Sequence, residues 1–274
     1  MEMEFGARSD RGRVRANNED SLCLAPDMNL FVLSDGMGGQ ASGEVASRLA
    51  VGTILAECRD ARLNPALPLI GGQMQGVSDA SNRLLSAIRS ANHAVYRAAQ
   101  QDASHHGMGA TLVALLFEDE RMSLAHVGDS RAYRLRGGEF EQLTQDHSFV
   151  AEQVRRAIMT EEEARASQLQ NVLLRALGVE PEVEVDLDEE LLIGGDLLLL
   201  CTDGLTRELS DSQIAAVLRE ADDAQTAADR LVDLANDAGG KDNITAIVLR
   251  YASKPVGTLA RIGRWFRGSE NSSS

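Results

Sequence analysis

The sequence predicts an α+β layered fold that is built mainly from antiparallel sheets. Two observations support this fold class: short apolar runs typical of strands occur in groups, and the helical patterns between them come in pairs. This order lacks the regular strand–helix alternation of a parallel doubly wound sheet. The chain has 274 residues, of which 43% are hydrophobic, and this is enough for one large domain with a sizeable core.

The strands are predicted from short apolar runs bounded by polar or glycine-containing segments. Several of these runs are almost entirely apolar, which indicates strands that are buried on both faces. The two glycines between Arg136 and Glu139 predict a hairpin turn. The predicted strands are 30–33, 111–117, 122–127, 132–135, 197–201 and 244–251.

The helices are predicted from apolar residues at helical spacing and from capping signals. A first pair covers 45–58 and 84–99, and the Gly- and Pro-containing segment 64–81 should connect them. Two capping boxes and a pair of glycines mark the later helices. These are Thr160 with Glu163, Ser210 with Gln213, and a last helix over about 223–238 that ends at Gly239 and Gly240.

The composition limits the classes of function. The net charge is −15, and no run of lysine or arginine precedes the C-terminal region. A nucleic-acid-binding surface is therefore not expected, because basic patches bind phosphate backbones. An acidic protein that acts on phosphate needs a bound cation to cancel the local negative charge.

The N-terminus and the cysteines predict a cytoplasmic protein. No apolar signal region follows Met1, and the apolar stretch 191–201 is too short and too interrupted to span a membrane. Three scattered cysteines, Cys23, Cys58 and Cys201, are read as reduced thiols, since neither a disulfide framework nor a zinc site fits their number and spacing.

Aspartates stand at the ends of the buried strands. Asp35, Asp129 and Asp203 each follow an apolar run, and Asp242 immediately precedes one. Neighbouring strands lie about 4.8 Å apart, so these carboxylates can converge, and several anions packed together need a cation or must be protonated. Oxygen ligands without cysteine or histidine favour Mg²⁺ or Mn²⁺ over zinc. The carbonyl of Gly36 can add a further ligand.

Turn chemistry is the alternative interpretation of each aspartate, because Asp-Gly between apolar runs is also a common hairpin signal. Asp129, between Gly128 and Ser130, is the most turn-like of the four. Four such coincidences, two of them in nearly identical Ser/Thr-Asp-Gly strings, favour the metal site for the set.

The sequence resembles the metal-dependent protein phosphatase family, also called protein phosphatase 2C, in its compact bacterial form. Eight short motifs carry the resemblance, in the family's order. The resemblance as a whole spans about 5–251. They are RANNEDS at 15–21, DGMGG at 35–39, GATL at 109–112, VGDSR at 127–131, LTQDHS at 143–148, LRALG at 174–178, CTDGL at 201–205 and KDNIT at 241–245.

The resemblance implies a four-layer α-β-β-α sandwich of two mostly antiparallel sheets flanked by helix pairs, with the metals in a cleft at one end. The catalytic domain would cover 1–252, with a flap at about 149–169. Two divalent ions, Mn²⁺ or Mg²⁺, and a weaker third ion would be bound there. The implied ligands are Asp35 as the bridge, Asp203 and Asp242 at the first ion, Glu19 and the Gly36 carbonyl at the second with Asp20 in support, and Asp129 with Asp203 at the third.

The activity that the resemblance implies is hydrolysis of phosphoserine and phosphothreonine in proteins, in bacterial signalling. A water between the two metals would attack phosphorus without a covalent phosphoenzyme, and Arg15 would bind the phosphate oxygens. The substrates could include a cognate serine/threonine kinase, and a monomer is expected.

Met37 departs from the pattern of many eukaryotic relatives, which carry a histidine there as the acid that protonates the leaving group. Methionine has no proton to donate, although bacterial members share it. The candidates that the sequence leaves for this acid are a metal-bound water, His126 and His147; a structural role is the competing interpretation of both histidines.

Three other functions compete with this interpretation. Cys201 and Arg207 match the Cys-x₅-Arg string of cysteine-dependent phosphatases, although Asp203 would repel both the thiolate and the phosphate. Residues 36–41 match a dinucleotide fingerprint, although no second strand follows the helix. A non-catalytic relative that binds phosphoproteins is the third.

The C-terminal segment 253–274 is expected to be a loosely ordered tail. Arg261, Arg264 and Arg267 interleave with apolar residues that include the single tryptophan, Trp265. Such a pattern also fits peripheral docking of 253–267 to a membrane surface or a partner protein.

Overall fold

The computed structural model describes residues 2–39 and 42–252, so the predicted tail lies outside the described residues. Within them, the chain forms eleven strands and seven α-helices. The strands are β1 (Glu2–Asp10), β2 (Asp20–Ala25), β3 (Leu30–Met37), β4 (Gly109–Ala110), β5 (Leu112–Glu118), β6 (Arg121–Val127), β7 (Arg131–Arg136), β8 (Glu139–Gln142), β9 (Asp186–Leu191), β10 (Leu197–Cys201) and β11 (Ile244–Ala252). The helices are α1 (Ser42–Leu63), α2 (Asp79–Gln101), α3 (Phe149–Arg155), α4 (Glu161–Ala166), α5 (Asp203–Thr206), α6 (Asp211–Glu220) and α7 (Ala224–Ala238).

The strands form two antiparallel sheets. One sheet has the order β1-β11-β10-β7-β8, and the other has the order β2-β3-β5-β6-β9, with β4 paired to β3. An apolar layer joins the facing sides of the two sheets, while α1 and α2 cover the outer face of one sheet and α6 and α7 cover that of the other. The predicted α+β fold with α-β-β-α layers is thus confirmed.

The layering explains why the central strands are continuously apolar. In β10, Leu198 and Leu200 face the opposite sheet, whereas Leu199 and Cys201 face α6 and α7. Alternate side chains therefore enter two different cores, because successive residues of a strand point to opposite faces. Neither face of β10 meets water, and no polar alternation is needed.

Five strands were not predicted from apolar runs: the two-residue β4, and the longer β1, β2, β8 and β9. The longer four are edge strands, and each occupies one end of its sheet. In β1, β8 and β9, charged residues that reach solvent interrupt the apolar pattern, and all six residues of β9 are at least partly exposed. In β2 the single charged residue, Asp20, is buried. The predicted strand 30–33 is also too short, because β3 continues to Met37 and carries Asp35 within it.

The local signals for turns and helix ends are confirmed. Gly137 and Gly138 both have positive φ, 57° and 92°, and Arg136 pairs with Glu139, as in a two-residue hairpin loop. Both capping boxes are formed, and Gly239 follows the end of α7. The helix α2 begins at Asp79, inside the predicted connection, because the Ser78 side chain caps it by accepting a hydrogen bond from Ser81 N.

The segment 149–169 contains the short helices α3 and α4 and lies between β8 and β9. A β-bridge between Ser148 and Leu173 joins the two ends of this segment. Next to it, the His147 backbone N–H donates to the Gly128 carbonyl, 2.9 Å away, just after β6. Among the helices of the described part of the chain, none is both long and apolar enough to cross a membrane.

Candidate metal centre

The predicted site residues meet at one end of the sandwich, where both sheets supply carboxylates. Asp35 belongs to β3, and Asp129 lies in the β6–β7 loop, which connects the two sheets. Asp203 is the first residue of α5, directly after β10, and Asp242 lies just before β11. These four carboxylates line a single cavity of about 160 Å³ together with Arg15, Glu19 and Gly36.

Backbone contacts fix the position of Asp35 at the centre of this cavity. The Asp35 N–H donates to Thr111 Oγ1 at 2.9 Å, and the Thr111 N–H donates to the Asp35 carbonyl at 2.8 Å. Thr111 Oγ1 is also 2.7 Å from Ser130 Oγ, beside Asp129. The Asp35 side chain is therefore held by a fixed backbone and does not depend on a flexible loop.

Asn243 holds the N-terminal motif against the other sheet. Its side-chain N–H groups donate to the carbonyls of Arg11 and Asn17, at 2.9 and 2.8 Å, and its Oδ1 accepts from the Glu19 N–H at 2.8 Å. Its own backbone N–H donates to Asp242 Oδ1 at 2.8 Å. Asn243 thus positions Glu19 through its side chain and Asp242 through its backbone. Sequence reasoning placed Asn243 in a motif but gave it no role.

Two buried carboxylate oxygens have no hydrogen-bond partner among the described residues: Asp20 Oδ1 and Asp203 Oδ1. The other oxygen of Asp20 accepts from Thr202 Oγ1 at 3.0 Å and from Thr245 Oγ1 at 2.6 Å, and Asp203 Oδ2 pairs with Arg207. Buried acceptors are almost always satisfied in folded proteins. Two unpaired oxygens beside other carboxylates therefore fit a hard divalent cation, which takes oxygen ligands. Asp20 does not line the cavity itself.

The electrostatics of the cluster point the same way. Burial, followed by repulsion from the neighbouring aspartates, raises the pKa of Asp35 well above its ordinary value. Burial likewise raises the pKa of Asp20 to about 7 and that of Asp129 to about 8, and it raises the pKa of Asp203. Without a cation, these groups cannot all ionise near neutral pH without a large cost.

This shift predicts that the metal-free protein becomes less stable as pH rises. An aspartate with a raised pKa holds a proton in the folded state that the unfolded chain has released, so the free energy of unfolding falls between about pH 4 and pH 8. In EDTA, we expect the melting temperature to be at least ~5 °C lower at pH 8 than at pH 6. Differential scanning calorimetry across this range measures it.

Manganese provides the control for that experiment, because a bound cation requires ionised carboxylates. With saturating Mn²⁺, the melting temperature should no longer fall between pH 6 and pH 8. A metal-free protein whose stability rises with pH over the same interval would contradict the electrostatic description of the cluster.

A close approach of three chain segments brings the Gly36 carbonyl next to the Glu19 carboxylate. A Cβ atom built on Gly43, at the start of α1, would lie 2.6 Å from both Glu19 Oε2 and the Gly36 carbonyl oxygen. Both oxygens therefore crowd the same point on Gly43, which only glycine leaves open. Glu19 and Gly36 both line the cavity, so this pair of oxygens is a candidate for metal ligation.

Two arginines balance part of the negative charge. Arg15 Nη2 lies 2.7 Å from Asp242 Oδ2, and half of the Arg15 side chain stays exposed to the cavity. This hydrogen bond raises the pKa of Arg15 above its already high value. Arg207 pairs with Asp203 and lies 3.6 Å from Asp242. The sequence suggested Arg207 only as a partner of Cys201; its spacing of four from Asp203 on a helix was the signal for this ion pair.

Cys201 is not part of the site. Its side chain is fully buried and packs with the apolar residues under α6 and α7, on the opposite face of β10 from the other sheet. Burial raises the pKa of its thiol to about 12. A thiolate nucleophile needs a lowered pKa and access to the substrate, and Cys201 has neither.

His126 and His147 stack on each other, with ring centroids 4.7 Å apart, and line neither of the cavities at this end. His147 Nδ1 accepts from the Gly128 N–H at 3.1 Å, and its Nε2 lies 3.2 Å from Asp186. His126 Nε2 is 3.0 Å from the Gln145 carbonyl. Both rings are buried and bonded, which agrees with a structural role and removes them as proton donors to a leaving group.

Comparison with known proteins gives a consistent result. The family model described as protein phosphatase 2C matches residues 11–246. The serine/threonine protein phosphatase PstP of Mycobacterium tuberculosis is 41% identical over 246 residues, which are 90% of this chain and 44% of PstP. This chain therefore spans less than half of that relative. The serine/threonine phosphatase stp of Listeria innocua is 35% identical over 252 residues, which are 91% of this chain and 95% of stp.

One solved structure of a relative contains metal ions. The catalytic domain of PstP in complex with two manganese ions superimposes with a TM-score of 0.79 at 38% identity, covering 92% of this chain and 99% of that domain. The part of PstP that this chain matches is thus the part whose crystal structure contains the two ions.

Proposed function

This chain belongs to the protein phosphatase 2C family, and from that premise we propose that it is a metal-dependent phosphatase of phosphoserine and phosphothreonine in proteins. The observation that carries the proposal is the convergence of Asp35, Asp203 and Asp242 in one cavity that also holds two arginines. Carboxylates alone would repel a phosphate, so the same cavity must hold cations before it can hold a substrate.

The ligands that we propose are those at this end of the sandwich. Asp35 would bind both ions, with Asp203 and Asp242 completing one site. Glu19 and the Gly36 carbonyl would form the other, with Asp20 contributing its unpaired oxygen directly or through water. Asp129 would assist Asp203 at a third ion. Mn²⁺ or Mg²⁺ would activate a water and neutralise the charge on the phosphate.

Arg15 is the residue that we propose binds the substrate phosphate. Its guanidinium is anchored by Asp242 through one nitrogen, which orients the planar group while its other N–H donors remain at the exposed side of the cavity. A planar fork of donors suits the non-bridging oxygens of a phosphate better than a single ammonium does. Arg207 keeps Asp203 in place and adds a second positive charge at the same wall.

The direct test is turnover by the purified protein. We expect hydrolysis of p-nitrophenyl phosphate and of a phosphothreonine peptide in the presence of Mn²⁺, loss of at least ~100-fold of that rate in excess EDTA, and recovery when Mn²⁺ is restored. Released phosphate is measured directly. A folded protein that binds the peptide but releases no phosphate with any divalent ion would instead be a non-catalytic relative.

Cys201→Ser is the matched variant for this experiment. Since the buried thiol touches no part of the cavity, turnover should stay within ~3-fold of the wild type, with a loss of stability from burying a hydroxyl. Loss of turnover in folded Cys201→Ser, together with resistance to EDTA, would instead support the cysteine mechanism.

We further propose that residues 1–252 are the catalytic domain and that 149–169, which lies next to the cavity residues Asn171 and Leu173, is its flap. The protein would act in the cytoplasm on phosphorylated proteins that could include a kinase. This substrate class is supported by the relatives, which include the serine/threonine phosphatases PstP and stp.

A further inference from the structure

A second cavity of about 310 Å³ lies directly beside the metal centre. It shares Arg15, Asn171, Arg207 and Asp242 with the first cavity, so the two are adjoining parts of one depression. Its outer part is formed by residues that the proposed chemistry does not use. These are Arg165 on α4, Gln170 after it, and Glu208 and Lys241.

The two cations in the outer part of this cavity form only long ion pairs, beyond hydrogen-bond distance. Lys241 Nζ lies 3.7 Å from Glu208, and Arg165 lies 3.8 Å from Glu161; both cationic side chains are 79% exposed. The Arg165–Glu161 pair is exposed on both sides and contributes almost nothing to stability, whereas the Glu208 side chain that faces Lys241 is only 6% exposed. By contrast, Arg15 and Arg207 each form a close ion pair with a carboxylate of the first cavity. Arg165 and Lys241 are therefore available to a ligand.

The excess of basic side chains around this cavity is unusual for an acidic protein. The chain has 42 acidic and 27 basic residues, yet four of the basic side chains and only two acidic ones line this cavity. Gln170 and Asn171 add amide donors to the same wall, and Asn171 lines both cavities. Cationic and amide donors in a concave site next to a phosphate-binding arginine are the chemistry that binds an oxyanion.

We propose that this cavity is a specificity site for an anionic side chain of the substrate, a carboxylate or a second phosphate, one or two residues from the phosphoresidue being hydrolysed. Arg165 and Lys241 bind that side chain. The inference rests on the proposed phosphatase function and names the class of phosphoprotein that the same site selects. The anionic side chain is placed this close in sequence to the phosphoresidue because the two cavities adjoin and each residue of an extended peptide spans about 3.3–3.6 Å.

The test compares three phosphothreonine peptides that differ only in the flanking residues: alanine, aspartate or phosphoserine at the two positions on either side. We expect wild-type kcat/KM to be ~10-fold higher for the aspartate peptide than for the alanine peptide, mainly through KM, and at least as high for the phosphoserine peptide. In the double variant Arg165→Gln, Lys241→Gln, the ratio between acidic and alanine peptides should fall to within ~2-fold of one.

Arg230→Gln is the control, since it removes the same charge from an exposed arginine on α7 that pairs with Glu220 and lines neither cavity. It should keep the full ratio, which separates local binding from general attraction by the protein's charge. A flat wild-type ratio, or a double variant that keeps the preference, overturns the proposal. A preference for phosphoserine alone assigns the site to phosphate, and equal preference assigns it to either anion.

Failure of the proposed function gives a different result. If neither p-nitrophenyl phosphate nor any peptide is hydrolysed with Mn²⁺, the phosphatase assignment fails, whereas the anion site is still decided by binding. Fluorescence anisotropy of the labelled peptides measures the same ratio without turnover, and loss of the ratio in the double variant but not in Arg230→Gln is the result expected there.

Discussion

Asp35→Asn is expected to lower turnover of a phosphothreonine peptide by at least ~1000-fold at saturating Mn²⁺, which corresponds to about 4 kcal/mol in the activation free energy. Asp35 lies near the other aspartates of the cluster: after burial, repulsion from Asp20, Asp129, Asp203 and Asp242 contributes to its raised pKa. An amide offers one weak oxygen ligand and an N–H₂ group that would point at a cation. The measurement is kcat and KM with a range of Mn²⁺ concentrations.

The same variant separates a metal role from a structural one. Replacing the most crowded carboxylate by a neutral group removes repulsion from the metal-free protein, so its melting temperature in EDTA should equal or exceed that of the wild type at pH 8. The increase in melting temperature that Mn²⁺ causes should shrink at the same time. Near-wild-type turnover, or a metal-free variant that unfolds well below the wild type, would refute the bridging role.

Gly43→Ala is expected to weaken Mn²⁺ binding and to lower turnover by ~100-fold or more at limiting metal, although alanine is the better helix former. The added Cβ would lie 2.6 Å from Glu19 Oε2, 2.6 Å from the Gly36 carbonyl oxygen and 2.7 Å from its carbon. Glu19 can rotate away, but the Gly36 backbone can only shift, and either response displaces a proposed ligand. Overpacking of this kind costs about 1–3 kcal/mol of folding free energy.

Gly52→Ala provides a control on the same helix. No atom lies within 4 Å of the Cβ position at Gly52, so the substitution should raise the free energy of unfolding by about 0.5–1 kcal/mol and leave turnover unchanged. Metal titrations followed by activity and by melting temperature compare the two variants. If Gly43→Ala bound Mn²⁺ as tightly as Gly52→Ala does, the ligand roles of Glu19 and the Gly36 carbonyl would be wrong.

The central strands of the two sheets were predictable from the sequence, and the edge strands were not. The central strands could be found because burial on both faces makes their residues continuously apolar, as in β10. The strands β1, β2, β8 and β9 each lie at a sheet edge, where one side of the backbone and part of the side chains face solvent. In β1, β8 and β9, charged residues are favoured because they discourage pairing with other chains, and they interrupt the apolar pattern by which a strand is recognised.

The candidate site divides in a similar way. The aspartates could be located because each stands at a defined point beside an apolar run, whereas the groups that hold them in place come from distant segments. Thr202 and Thr245 donate to Asp20 across more than 180 positions of sequence, and Asn243 holds a loop that begins at Arg11. Such contacts depend on how the two sheets stack, which no local pattern encodes.

The origin of the carboxylates in two different sheets has a consequence for the evolution of this protein. Asp35 and Glu19 come from one half of the sandwich, Asp203 and Asp242 from the other, and Asp20 reaches across the seam to Thr202 and Thr245. A cation bound by these carboxylates would link the two sheets to each other. Any substitution that shifts one sheet relative to the other would change the spacing of the proposed ligands, so we expect the apolar layer between the sheets to be under the same selection as the proposed metal site.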